Sequence, residues 1–399
     1  MLPTLASLTA TVEAEFAALI DAEYPRFSAE EMARRRKRFD DLCEAQGLDA
    51  IIVAHAQKAG TTTFWLTGWP TTADAVTLLV PGRPMKLWVQ HVNHQPLAAK
   101  LADTCEVEWG GKSGLGHALA ALASDKPGAK RIGLVGSLSA SQHASLAAAG
   151  TVVDLNAAYS KMRYVKSAEE MPWFRFAAAM SDLGAASLAE RAKPGMTEKE
   201  LGALVEAPYV RLGGTNALHY IGTTPMADPS VGVPRQFPSS RRLAVGDALV
   251  CEISAQFWDH SGQVLRTFAV GTEPNALYRE LHACADAVFD AVTAKVRAGT
   301  TPAELVAASH GIEDAGFTII DDLVHGYGGG YFPPILGCAS RPSANVPDMK
   351  LEAGMMLVVQ PNIVTRDRRA GVQTGHLMLV TETGFEPLQR FPRGFHVIG

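Results

Sequence analysis

The sequence predicts an α/β (α+β) protein in two parts: an N-terminal α/β domain over residues 1–160 and a C-terminal domain over 161–399 carrying an internal pseudo-two-fold repeat. Two observations lead there. In the first part, "GLDAIIVAH", "AVTLLVPG", "MKLWVQ" and "RIGLVG" are short apolar runs that end near glycine or turn residues, with helical patterns between them. Such alternation implies a mixed sheet with helices packed on it. In the second part, Lys193–Leu201 "KPGMTEKEL" and Arg297–Leu305 "RAGTTPAEL" share the form basic-x-Gly-x-Thr-x-x-Glu-Leu.

Taken in order, a charged helix is expected over Ala29 to Gln46. Its basic run, Arg34 to Arg38, is flanked by Glu30, Glu31, Asp40 and Asp41 and reads as a solvated helix face. After "MRYVKSAEEMPWFR" the pattern changes to long helices followed by strand pairs, which sets the boundary near 160. Ser167 and Glu170 have capping-box spacing, and Pro172 must kink or restart the helix that follows. Each copy of the repeat opens a helix in the same way: Thr197 and Thr301 are N-caps, and Glu200 and Glu304 stand three residues on. Pro302 takes the first helical position, where its missing N–H costs nothing. Gly213 and Gly316 are the matching stop signals. A Gly-x-x-Leu-Val-x strand then follows in each half, "GDALVCE" ending at Glu252 and "GMMLVVQ" ending at Gln360. Three elements in the same order imply two equivalent halves, with Glu252 and Gln360 as symmetry mates facing one central site.

Composition narrows the function. With 47% hydrophobic and 19% charged residues the chain is of globular type, and its net charge of −5 argues against nucleic acid as a partner. No apolar run approaches the roughly 18 residues of a membrane span. The first residues carry no Lys or Arg, unlike a signal peptide. The 5 cysteines, Cys43, Cys105, Cys251, Cys284 and Cys338, are scattered and odd in number, as expected of buried thiols in a reducing cytoplasm.

These motifs, together with "FWLTGW" (Phe64 to Trp69), "VKSAEE" (Val165 to Glu170), "GDALVCEISAQFWDHSGQVLRTFAVG" and "LEAGMMLVVQPNIV…GVQTGHLMLVTETGFEPL", resemble the pita-bread family over nearly the whole chain. That family includes methionine aminopeptidase, aminopeptidase P, prolidase and creatinase. The resemblance implies a creatinase/prolidase-like N-terminal domain and a pita-bread C-terminal domain. Its metalloenzymes hold two divalent ions with two Asp, one His and two Glu. Carried over, those positions fall on Glu252, Gln263, His325, Gln360 and Gly375. Glutamine is a weak neutral ligand and glycine offers none, so no metal and no other cofactor is expected. A single ion on Glu252, His325 and His376 is the remaining metal arrangement. The residues that serve creatinase without metal fall on Arg235, Leu265 and Gln360, so that mechanism does not carry over either.

What remains is a carboxyl and an imidazole among neutral polar groups. Glu252 is expected to be desolvated and to act as base or nucleophile, with His325, from the glycine-rich stretch "VHGYGGGYFPP", as acid. Alternatively Glu252 pairs with Arg266 or Arg235 in a buried ion pair. Gln263 and Gln360 would orient a polar substrate, or satisfy each other. Tyr331, Phe332, His376, His219 with Tyr220, and Arg235 as a carboxylate clamp complete the expected binding set. By the family's habit the protein is a homodimer whose site is closed by Trp69 of the partner's N-terminal domain; Trp65 is better explained as core. The leading reading is a metal-independent hydrolase cleaving a C–N bond in a small polar nitrogen-containing metabolite. The alternatives are a metal-independent lyase acting on a small organic acid and an inactive peptide- or ligand-binding homologue.

Overall fold

In the computed structural model, residues 2–22, 24–55 and 61–399 are described. The chain divides into two compact units: Pro25–Arg163, and Met1–Tyr24 together with Tyr164–Gly399.

The Pro25–Arg163 unit is built on a mixed sheet of β1 (Ala50–His55), β2 (Ala75–Leu79), β3 (Met85–Val89), β4 (Cys105–Trp109), β5 (Arg131–Gly136) and β6 (Thr151–Asp154), in the order β4-β3-β2-β1-β5-β6. The helix Ala29–Gln46 starts where Ser28 caps the Glu31 N–H and stops at Gly47, whose φ of 61° suits glycine. Its basic run is not wholly solvated. Arg35 is buried, ion-paired to Glu31 at 2.7 Å, and donates to the Trp65 carbonyl at 2.9 Å. Arg36 and Lys37 do face outward, pairing with Asp40 and Asp41. Trp65 packs with Phe39 and Tyr159. Trp69, expected to reach toward another subunit, is instead buried in its own unit among Ala75, Leu87, Val89, Ala98 and Ala102.

The second unit contains β7 (Thr215–Pro225), β8 (Asp247–Phe257), β9 (His260–Ser261), β10 (Val264–Val270), β11 (Thr318–Ile319), β12 (Val324–Tyr327), β13 (Tyr331–Leu336), β14 (Met356–Val359), β15 (Asn362–Val364), β16 (Gly371–Gln373), β17 (Gly375–Val380), β18 (Phe385–Pro387) and β19 (His396–Ile398). The main sheet runs β13-β12-β14-β17-β10-β8-β7, and β11, β15 and β16 form a small sheet of their own. The helix Met171–Arg191 begins after a reciprocal Ser167–Glu170 pair and carries Pro172 in its first turn, so the proline restarts the helix. Both repeat copies close their capping boxes, Thr197 with Glu200 and Thr301 with Glu304, and Gly213 and Gly316 both take positive φ.

Among the described residues, 2–22 and 24 group with this second unit, not with the N-terminal domain expected over 1–160. The cause is contact with the helix Met171–Arg191 and the C-terminal segment. Phe16 lies 5.3 Å from Phe176, the Leu5 N–H bonds Glu190 at 2.8 Å, and Glu15 forms a two-pronged pair with Arg390.

The core under β14 and β17 comes from the helix Ala276–Thr293. Its Tyr278, Leu281, Ala285, Val288, Phe289 and Val292 recur at helical spacing and bury against Leu357, Val359, Met378 and Val380. The sheet register then fixes the site. Glu252 on β8 stands opposite Tyr220 on β7 and Leu265 on β10, and Leu265 stands opposite Gly375 on β17. Side chains of directly paired residues share a face.

Candidate active site

The first half of the sheet contributes a buried carboxyl with one amide partner. Glu252 is 4% exposed, and Gln263, just ahead of β10, donates its Nε2 to Glu252 Oε1. Glu252 Oε2 and Gln263 Oε1 are buried and, among the described residues, accept no hydrogen bond. Burial pushes the Glu252 carboxyl up to about 8; the Asp321 carboxylate adds to the rise and the Gln263 bond opposes it. The alternative of a buried ion pair fails. Arg266 spends its guanidinium on the carbonyls of Leu265, Gly375, Phe391 and Pro392 and on His376, and Arg235 is exposed with no partner among the described residues.

The second half contributes an imidazole held by an amide. His325 on β12 faces Gln360 Oε1 with Nε2 at 3.3 Å and the Gly326 carbonyl with Nδ1 at 3.2 Å, so whichever nitrogen carries the proton has an oxygen to donate to. Burial pushes its pKa down to about 4, which leaves the ring neutral near pH 7. Tyr331 stacks on it with centroids 4.2 Å apart, and Tyr327 meets it edge-on at 5.5 Å. The Tyr327 phenol in turn lies near Ser254, Ser261 and Glu252. No hydrogen bond joins Glu252 to His325 among the described residues. The tyrosines are their shared neighbours, since both phenols feel the Glu252 charge. Gly328, Gly329 and Gly330 all take positive φ in the β12–β13 turn, which explains the glycine run ahead of Tyr331.

An acidic turn completes the arrangement. Asn362 Oδ1 accepts the Ile320 and Asp321 N–H groups at 3.0 and 2.8 Å, while Asn362 Nδ2 and Gln360 Nε2 both donate to the Asp322 carbonyl. Asp322 accepts from the Tyr331 hydroxyl at 2.6 Å and pairs with Arg341 at 3.4 Å. Gln360 is therefore a brace for His325 and for this turn, with both ends of its amide committed. Asp321 raises the pKa of Tyr220 as well as that of Glu252. Sequence reasoning missed Asp321, Asp322, Tyr327 and Asn362. A signal existed: the two acids stand four and three residues ahead of His325 in "DDLVHGYGGGYFPP".

Of the other expected residues, Tyr331 joins the site and several do not. His376 bonds Arg266 at 2.6 Å and meets Phe289 of the core helix, and burial with the adjacent Arg266 charge holds its pKa well below the usual range. It neighbours Gly375 along the strand, so alternation turns it to the opposite face. His219 likewise points away from its neighbour Tyr220, bonds the Tyr209 hydroxyl, and is pushed down to about 4 by burial. Phe332 lies on the side opposite Tyr331, packed on Tyr164 and beneath Lys166. Arg235 bridges Ile221 through its backbone and leaves its side chain exposed.

Residues 173–382, more than half of the chain, match the model of metallopeptidase family M24, and residues 35–165 match the creatinase/prolidase N-terminal domain. The chain belongs to metallopeptidase family M24. It is 27% identical over 258 residues to an uncharacterized hydrolase/peptidase of Sinorhizobium fredii, an alignment covering 62% of each chain. To a Xaa-Pro dipeptidase of Pyrococcus furiosus it is 26% identical over 239 residues, covering 58% of this chain and 65% of that one. The matches thus span less than two thirds of these relatives. Among solved structures, the Xaa-Pro dipeptidase of Bacillus anthracis superposes with TM-score 0.79 at 19% identity over 92% of this chain and all (100%) of the other. The X-Pro aminopeptidase of Thermotoga maritima superposes with TM-score 0.78 at 19% identity over 91% and 99%. At that identity the likeness is one of fold: the pita-bread architecture with a creatinase-like N-terminal domain.

The residues of this family member do not fit a pair of divalent ions. Gln263 turns its N–H₂ end, not its oxygen, toward Glu252. Gln360 has both amide ends engaged. A Cβ added at Gly375 would lie 2.8 Å from Leu265 Cδ1, so Leu265 fills the space a ligand side chain would need there. With His376 on the other face, the single-ion arrangement on Glu252, His325 and His376 is lost as well. Among the described residues no three His, Cys, Asp or Glu are grouped to hold a metal.

Proposed function

We propose that this M24 family member is a hydrolase that works without a divalent ion and cleaves a C–N bond in a small, polar, nitrogen-containing metabolite. The observation that carries the reading is Glu252: a buried carboxyl with one bonded oxygen and, among the described residues, one free oxygen and no paired cation, and a pKa raised to about 8. Its ionised form takes a proton from water at Oε2 as the water oxygen bonds to the substrate carbon. The same proton then passes to the leaving nitrogen as the C–N bond breaks. A group titrating near the working pH suits both steps.

His325 has a different part from the acid role its sequence position suggests. A neutral imidazole is a weak proton donor, so the acid step falls to Glu252, and His325, held by Gln360, positions the substrate. Family membership and the peptidase names of the relatives support hydrolysis as the reaction class. No helix of the described residues is long and apolar enough to cross a membrane. The reading keeps a cytoplasmic homodimer, which light scattering tests.

The experiment is turnover against a panel of small amides, amidines and ureides, with Xaa-Pro dipeptides included because of the Pyrococcus relative's name. Activity that persists after exhaustive chelation and falls in Glu252→Gln is expected. Activity that appears only with added Mn, Co or Zn overturns the reading.

A further inference from the structure

The unsatisfied atoms around Glu252 are of one kind. Glu252 Oε2 and Gln263 Oε1 are both acceptors when the carboxyl is ionised, and neither has a partner among the described residues. These residues are 4% and 1% exposed, so water in bulk does not serve them. A ligand that fits must arrive with donors; a carboxylate or phosphate would set lone pairs against lone pairs.

Two carboxylates stand on the turn beside this site, with Arg341 paired to one of them. Asn362 and Gln360 fix the Asp321–Asp322 turn through four hydrogen bonds of the backbone. Asp322 has Tyr331 and Arg341 as partners, whereas the Asp321 carboxylate accepts, among the described residues, only the Asp322 N–H, at 2.8 Å. Asp321 bears electrostatically on Glu252, Tyr220 and Tyr331 alike. Two buried cations of the unit are committed elsewhere: Arg266 to carbonyls and His376, and Lys166 over the Phe174 and Phe332 rings. The remaining walls are Tyr220, Tyr327 and Tyr331, whose ring faces attract positive charge.

We infer that the site binds a small organic cation whose charge sits on N–H groups, an amidinium or a primary ammonium, and that Asp321 selects that charge. The inference rests on the hydrolase reading for the location of the site and narrows its substrate class. The N–H groups fill the free acceptors of Glu252 and Gln263, Asp321 supplies the counter-charge, and the phenols enclose the carbon skeleton. Tetraalkylammonium lacks the donors, and a neutral amide lacks the charge.

The test is calorimetric titration with acetamidine, acetamide, tetramethylammonium and acetate, on the full chain and on Asp321→Asn. Asparagine keeps an oxygen to accept the Asp322 N–H, so the turn persists in the variant. The expected result is that acetamidinium binds at least tenfold more tightly than the other three, and that Asp321→Asn loses about tenfold toward acetamidinium with little change toward acetamide. Equal binding of acetamidinium and acetamide by the unaltered chain overturns the inference without recourse to any variant. So does unchanged acetamidinium affinity in a folded Asp321→Asn. The hydrolase reading fails separately: amidinium binding with no turnover of any panel member sinks that reading and leaves the cation site standing.

Discussion

The two halves of the main sheet, β7-β8-β10 and β12-β14-β17, are mirror-ordered about the β10–β17 seam, and they use one strand pattern for two purposes. The first half keeps a carboxyl on β8 and gives it Gln263. The second half sets Gln360 at the equivalent place and spends it on the His325 ring and the Asp322 carbonyl. Backbone pattern makes the halves alike, and two side chains make one half reactive and the other a brace. A symmetric fold therefore gives an asymmetric site.

The sharpest way to break that contrast is to remove the carboxyl. Glu252→Gln keeps the shape and is expected to lower turnover by at least the roughly 100-fold typical of a lost general acid–base group, read as kcat on the best substrate of the panel. Full activity in the variant would make both halves braces and move the chemistry elsewhere. The same variant reports on stability. A carboxyl whose folded pKa lies above its unfolded value holds a proton that the unfolded chain has already released. Stability therefore falls as pH rises from the ordinary carboxylate range to about 8. One such proton contributes a slope of up to about 1.4 kcal/mol per pH unit. Urea unfolding should show a shallower decline across that window in Glu252→Gln. A residual slope of the same sign should remain, because burial also raises Asp182, to about 7.

The converse change loads the second half. Gln360→Glu replaces the N–H₂ that donates to the Asp322 carbonyl with an oxygen, beside a turn that already carries Asp321 and Asp322. The unsatisfied carbonyl and the added charge should cost about 1–3 kcal/mol, seen as a lower urea midpoint with an unchanged m-value. A neutral outcome would mean that Gln360 is not the brace described.

Much of this was legible in the sequence because it depends on spacing. Capping pairs at Thr197 and Thr301, the stops at Gly213 and Gly316, and the paired Gly-x-x-Leu-Val strands are local signals, and the fold obeys them. In the site, the repeat pointed to Glu252 and Gln360 and the family resemblance to Gln263 and His325; the structure pairs Glu252 with Gln263 and His325 with Gln360. His219 and His376 misled because each sits one residue from a site position, and a strand reverses direction at every step. Asp321 stayed hidden because its importance lies in an approach to Glu252 across the sheet, which no local pattern encodes. Residues 2–22 and 24 joined the second unit through contacts to Glu190 and Arg390, which are equally remote in sequence.

The smallest effect is expected at Arg235, and it discriminates between two kinds of ligand. Arg235 lies beside Ile221 on the edge strand of the first half, exposed and without a side-chain partner among the described residues. Its removal leaves no buried group unsatisfied, so Arg235→Ala should change stability by no more than about 0.5 kcal/mol. Read as a carboxylate clamp, Arg235 would hold an anionic end of the substrate in a two-pronged bond, and its loss would raise KM by tenfold or more at unchanged kcat. The Glu252 site calls for a cation, and an exposed guanidinium bridged through its backbone to Ile221 adds at most weak, salt-screened repulsion. Arg235→Ala should therefore leave kcat unaltered and KM the same or slightly lower, with the difference vanishing at high ionic strength. A tenfold rise in KM would place an anionic group on the substrate and make the first half of the sheet a two-ended site, with Glu252 at one end and Arg235 at the other.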